Sequence, residues 1–197
     1  MRLVASVSLA ALVAATLAAA PAAAKTAVVI GMQQEPTVLD PTADATAAID
    51  TMLASNLFES LTTVNESGEV LPALAESWEV SEDGLTYVFT LAEGVAFHDG
   101  AEFDSSDVTF SFERAMAEDS VNPSKSIFEP IAAVEAPDPR TVVLTLSRPD
   151  AFLLFNLAQG DASIVDPSDV ETNATNPVGT GPYRFASWTR GDRLVLE

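Results

Sequence analysis

Three stretches carry the residue types from which chemistry is built. The first is NPVGTGPYRF, residues 176–185, with two glycines one residue apart. That spacing suggests a loop whose backbone N–H groups cradle a phosphate, which needs successive free N–H groups and a helix start behind them. Here Pro182 follows the second glycine and has no N–H. The continuation YRFASWTRGDRLVLE alternates like two strands around a turn at 190–192, and no lysine follows Lys125. The glycines therefore read as turn-makers leading into a strand, not as a nucleotide site. The second stretch is FHDGAEF, which holds the single histidine, His98. A Ser–His–Asp set is arithmetically available, but beside an Asp-Gly turn His98 reads as an exposed turn residue. The patterns G-x-S-x-G, H-E-x-x-H and G-x-x-x-x-G-K are all missing. The third stretch, DGAEFDSSD at 99–107, has closely spaced carboxylates without the order of a calcium loop. Asp104 and Asp107 are better explained as helix-start residues. One histidine and no cysteine leave zinc without a ligand set. No catalytic residue, no metal and no cofactor is expected.

The totals narrow the setting. The chain has 197 residues, 29 acidic against 9 basic, and a formal net charge of −20. Such a field repels nucleic acid and anionic lipid, so neither is an expected partner. The acids are spread along the chain, which reads as solubility and not as a disordered tail. Residues 1–24 stand apart: Arg2, an apolar run over 3–20, then APAAA. This is the pattern of a secretory signal peptide cleaved after Ala24. A membrane anchor is the alternative, since a spanning helix needs about 20 residues. The alanine-rich run and its A-x-A ending favour cleavage. With no cysteine to form disulfides or carry a lipid, the expected product is a freely diffusing periplasmic protein.

The elements that position these residues follow from pattern. KTAVVIGMQQEPTVLDP, residues 25–41, reads as a strand leaving into a loop. Over 44–61, Ile49, Met52, Leu53, Leu57 and Leu61 recur at helical spacing, with Asp44 as the cap. SWEVSEDGLTYVFTL is a hairpin turned at Asp83-Gly84, with Leu85, Tyr87, Phe89 and Leu91 facing a core. A short strand is expected around 95–97. A helix over 104–117 starts on a capping box, Asp104 with Asp107. A second hairpin spans 131–147, turned at 137–140, and a short helix spans 149–158. Trp78 and Trp188 read as core anchors.

The run LPALAESWEVSEDGLTYVFTLAEGVAFHDGAEFDSSDVTFSFERA, residues 71–115, closely resembles the peptide/nickel-type extracellular solute-binding proteins of ABC importers, family 5. Further pieces stand in that family's order: LDP at 39–41, LFESL at 57–61, DPRTVVLTLSRP at 138–149, NPVGTGPYRF and DRLVLE. The resemblance implies an α/β, class II periplasmic-binding-protein-like, two-lobed fold, incomplete here, with an inserted small α+β domain. It divides the chain into a first segment of the large lobe at 25–58, the inserted domain at 59–166 and a return segment at 167–197. Relatives continue far beyond this length, so an N-terminal fragment is expected. The family traps solute between its lobes by hinge closure, without making or breaking bonds. A small molecule, foremost a peptide, would be the ligand, an inner-membrane ABC permease the partner, and the protein a monomer. By the same resemblance the loop after LDP borders the cleft, making Asp44, Ala45 and Thr46 candidate ligand residues, together with Gln159, Gly160 and Asp161 before the return. Two other readings stay open: an acidic interaction module, and an exported hydrolase using His98.

Overall fold

The computed structural model describes residues 27–44 and 46–197. The expected signal peptide and Ala45 lie outside the described residues. The chain divides after Gly31. Residues 27–31 form no strand, and Val28, Val29 and Ile30 are exposed. The strand expected from this β-branched run is thus not seen over its described part. Strand propensity becomes a strand only where a neighbour supplies the ladder hydrogen bonds.

Within 32–197 the first element is helix α1 (Ala47–Met52). It is much shorter than the helix expected over 44–61. The chain turns at Ser55, the one non-glycine described with positive φ (59°), and Ser55 N–H donates forward to the Phe58 carbonyl. Ile49, Leu53, Leu57 and Leu61 are nonetheless all fully buried. Strands β1 (Thr62–Val64) and β2 (Val70–Pro72) then pair as a small antiparallel ribbon.

Strands β3 (Ala75–Val80) and β4 (Thr86–Leu91) form the first expected hairpin, Trp78 opposite Phe89. Its turn is built by Asp83, whose carboxylate accepts from Ser81 Oγ and Leu85 N–H, and by Gly84 at φ +69°. The short strand expected near 95–97 is reduced to an isolated bridge, Ala96 to Glu102. Helix α2 (Ser105–Met116) starts on the expected capping box: Asp104 accepts from Ser106 N–H, and Asp107 Oδ2 accepts from Asp104 N–H at 2.9 Å. Strands β5 (Ile131–Asp138) and β6 (Thr141–Leu146) complete a four-stranded antiparallel sheet of order β3-β4-β6-β5. Alternation decides which face is covered. Tyr87, Phe89 and Leu91 of β4 and Val142, Leu144 and Leu146 of β6 are buried on one face. Helix α2 lies over β5 and β6, contributing Val108, Phe112 and Ala115 to the same core. Phe112 meets Phe128 edge-on at 5.5 Å. Fully burying one such side chain is worth about 1.5–3 kcal/mol.

Helix α3 (Leu153–Asn156) is a single turn within the expected 149–158. The chain ends in the hairpin β7 (Phe185–Thr189) and β8 (Arg193–Leu196), turned at Gly191. This hairpin packs on a second core of Leu39, Ile49, Leu53, Leu57, Phe58 and Val165. Residues 35–39 run beside it: Trp188 Nε1–H and Gly191 N–H both donate to Glu35, Arg190 donates to the Thr37 carbonyl, and Leu39 N–H donates to the Ala174 carbonyl. The Arg190 guanidinium also sits 4.1 Å above the Trp188 ring. Asp40, almost fully buried, ties this second core to α2 through a 3.0 Å ion pair with Arg114. Among the described residues no helix is long and apolar enough to cross a membrane.

Candidate functional site

The expected site residues come from two segments more than a hundred positions apart. Asp44 does not cap α1. Its Oδ1 accepts from Thr46 N–H at 2.9 Å and its Oδ2 from Thr37 Oγ1, so it braces the turn before the helix. The cap position is Thr46, at φ −71° and ψ 132°, and the Thr46 hydroxyl is buried without a protein partner. Ala45 lies outside the described residues.

Gly160 and Asp161 lie in a 3-10 turn (Gly160–Ala162) that packs directly on α1. A Cβ at residue 160 would lie 2.3 Å from Asp50 Oδ1, the tip of a side chain that can move, and 3.4 Å from Ala54 Cβ, so the turn lies close against both residues. The approach sets Asp161 near Asp50, one helical turn beyond Thr46. Asp161 Oδ2 accepts from Ser124 Oγ at 2.9 Å, and its carbonyl accepts from Asn122 Nδ2 at 2.8 Å. Burial pushes the Asp161 carboxyl above its ordinary range; the Ser124 hydroxyl pulls it back, and the charge of Asp50 pushes it up again. Burial raises Asp50 likewise. Gln159 is committed elsewhere: its amide donates to the Phe155 carbonyl, and its own carbonyl accepts from Ser60 Oγ.

Asn122 also lines a cavity of about 210 Å³, shared with Thr42, Arg114, Ala117, Asp119 and Val121. The rim thus joins Thr42 to the end of α2 and the loop after it, and Asn122 ties that loop to the turn at 160–162. Arg114 is engaged by Asp40 and Thr42 and Lys125 by the Ala117 and Glu118 carbonyls, while the carboxylates of Asp50 and Asp161 have no ion-pair partner among the described residues. Such a rim suits a group that donates hydrogen bonds and carries positive charge. The loop after α2 and Asp50 were not singled out from the sequence, although EDSVNPS concentrates acids, Asn and Pro in one loop.

NPVGTGPY is not the turn expected from its glycines. Neither Gly179 nor Gly181 has positive φ. They are needed for close approach: a Cβ would lie 2.1 Å from the Leu57 carbonyl oxygen at residue 179 and 2.5 Å from that of Asn56 at residue 181. Gly181 and Tyr183 donate their N–H groups to Leu57 and Asn56. His98 holds the loop from the other side. Its ring is half-buried, not exposed, with Nε2 2.8 Å from the Gly181 carbonyl and Nδ1 accepting from Gly179 N–H at 3.3 Å. Both ring nitrogens are thus engaged by the loop. Nearby, Asp99, Asp166 and Asp169 each place a carboxylate oxygen within 4.8 Å of the others. Burial raises Asp169, and the charges of Asp99 and Asp166 add to it.

Residues 69–197 match the family described as bacterial extracellular solute-binding proteins, family 5 Middle. The glutathione-binding protein GsiB of Salmonella paratyphi A is 36% identical over 188 residues, covering 93% of this chain and 36% of the relative. Among solved structures, AgaA of A. tumefaciens R10 in complex with agropinic acid is 34% identical with a TM-score of 0.76, covering 83% of this chain and 34% of that one. DppA of Helicobacter pylori in complex with the peptide STSA is 32% identical with a TM-score of 0.70, covering 81% and 36%. The chain spans about a third of the length of these relatives.

Proposed function

Because this chain belongs to family 5 of the bacterial extracellular solute-binding proteins, and carries part of their mixed α/β class II fold, we propose that it serves the solute-capturing component of an ABC importer and that the solute is a small peptide. The function is capture and release: ligand bridging two lobes binds the closed state better and so draws the hinge shut. No bond is made or broken. A cleavable signal peptide delivers the protein to the periplasm, where it acts as a monomer and passes its solute to a membrane permease.

The division into 25–58, 59–166 and 167–197 is part of this reading. It is supported by the two cores, since buried residues from Leu61 to Ile164 form one, and Leu39, Ile49, Leu53, Leu57, Phe58 and Val165 the other. The chain would cross between lobes where Ile164 N–H meets the Glu59 carbonyl.

The observation that carries the site is the contact of Gly160 with Asp50, which brings Asp161 to the start of α1. Asp50, Asp161 and the Thr46 hydroxyl are assigned to the amino-bearing end of the solute, with Asp44 bracing the turn that presents Thr46. Two carboxylates held above their ordinary range are relieved by an ammonium group. Calorimetric titration with a free tripeptide and its N-acetylated form tests this. The free form should bind more tightly, and Asp50→Asn and Asp161→Asn should each reduce that preference several-fold. Equal binding of both forms would remove the assignment.

A further inference from the structure

The single histidine of the chain, His98, has no part in solute capture as proposed, yet it is placed with unusual economy. The Gly181 carbonyl can only accept a hydrogen bond, so the Nε2 atom 2.8 Å away must carry the hydrogen. The neutral ring then has a bare Nδ1, and this atom faces the N–H of Gly179 at 3.3 Å. His98's own N–H closes the set by donating to the Gly179 carbonyl at 2.9 Å. Two residues of the loop are therefore read by one neutral tautomer.

The loop cannot yield toward its other neighbour. Gly179 and Gly181 already lie so near Leu57 and Asn56 that neither site has room for a Cβ. The two sides also belong to different cores: Phe97, next to His98, lies in the core under the sheet, whereas Leu57 lies in the one under the β7–β8 hairpin. The contact of His98 with residues 179–181 thus fastens a loop that runs between the two cores, with Val178 just before it packed on the sheet core.

We propose that His98 is a proton-sensitive clasp on Gly179: the neutral imidazole accepts from the Gly179 N–H, and a proton on Nδ1 breaks that bond while Nε2–H stays on the Gly181 carbonyl. Imidazole ordinarily exchanges its proton between about pH 5 and 8. Protonated Nδ1 would set donor against donor at Gly179, so that one bond exists in the neutral form and is lost as pH falls, whereas Nε2–H keeps the Gly181 carbonyl and His98 N–H keeps that of Gly179.

Other titrating groups stand on the elements that meet here. Asp99 follows in the same turn, and its carboxylate lies with those of Asp166 and Asp169. Glu59 lies two residues beyond Leu57, and exposed Arg184 closes the return segment. Asp169 is itself held up by burial and by Asp99 and Asp166, so carboxyl titration is a second source of pH dependence to be separated from that of His98.

Amide hydrogen exchange at Gly179, corrected for the intrinsic rate and referenced to Phe89 in the sheet core, makes the separation in the whole chain. Protection at Gly179 should fall roughly tenfold between pH 8 and pH 5. His98→Gln supplies a carbonyl acceptor and an N–H donor but does not titrate, so it should restore protection and remove the pH dependence. His98→Ala should lack protection throughout. The lone imidazole gives an unambiguous nitrogen NMR signal, which should report Nε2–H at pH 8 even if a variant fails to fold. Flat protection in the native chain, the same pH course in His98→Gln, or an Nδ1–H tautomer at pH 8 would each overturn the proposal.

Discussion

Asp107 offers a test in which the size and the sign of an effect both follow from geometry. It is the third residue of α2, only 8% exposed, and closes the capping box by accepting from Asp104 N–H at 2.9 Å. Burial pushes its pKa from 3.8 up to about 6; the Asp104 N–H pulls it down, and the charges of Asp104 and Asp166 push it up again. The folded chain therefore holds this proton more tightly than the unfolded one. The resulting stability is full below about pH 3.8 and is lost as pH rises through about 6. Taken whole, that difference corresponds to ~3 kcal/mol, and screening by water at this helix end reduces it to ~1–2 kcal/mol. Asp107→Asn keeps an oxygen for the Asp104 N–H but cannot ionise. Its stability should equal that of the native chain at pH 4 and exceed it by ~1–2 kcal/mol at pH 7.5, a Tm rise of about 3–6 °C by scanning calorimetry. Parallel Tm curves for the two proteins from pH 4 to pH 8 would refute the reasoning.

Two further outcomes follow from contacts made where the two cores meet. Gly179→Ala, whose Cβ would fall 2.1 Å from the Leu57 carbonyl oxygen, should cost about 3 kcal/mol in urea unfolding, because backbone and not a flexible side chain must move. Asp40→Asn removes the charge that holds Arg114 at 3.0 Å and should cost about 1–3 kcal/mol at low salt, less than for a fully buried pair because Arg114 keeps access to water; an unchanged urea midpoint would mean the pair contributes nothing.

What could be read from the sequence was set by distance along the chain. The capping box at Asp104 and Asp107, the Asp83-Gly84 hairpin and the hairpin turned at Gly191 are local, and the residues that make them are neighbours. The helix expected over 44–61 failed for a specific reason. Helical spacing records that Ile49, Leu53, Leu57 and Leu61 are buried, not that one helix buries them. Leu57 and Leu61 are buried after the chain has turned at Ser55, and Leu61 lies in the other core. The glycines of NPVGTGPY were legible as special but not for their reason, since the carbonyls that crowd them lie more than 120 residues earlier. His98 meets partners 81 and 83 positions away, and nothing near it in sequence announces them. For the site, the sequence pointed to the segments at 44–46 and 159–161; neither lines the cavity beside Asn122, and Asp50 and the loop after α2 emerge only once Gly160 is seen against α1.

Capture of a solute at this site is tested most directly by mapping amide chemical shifts of the chain as an unlabelled tripeptide with a free amino terminus is added. Binding there predicts that the largest shifts cluster at Thr46, Asp50, Asn122, Ser124, Gly160 and Asp161, and that they diminish with the N-acetylated peptide. Shifts that saturate on the outer strands β3 and β5, or that never rise above those of the acetylated control, would contradict it.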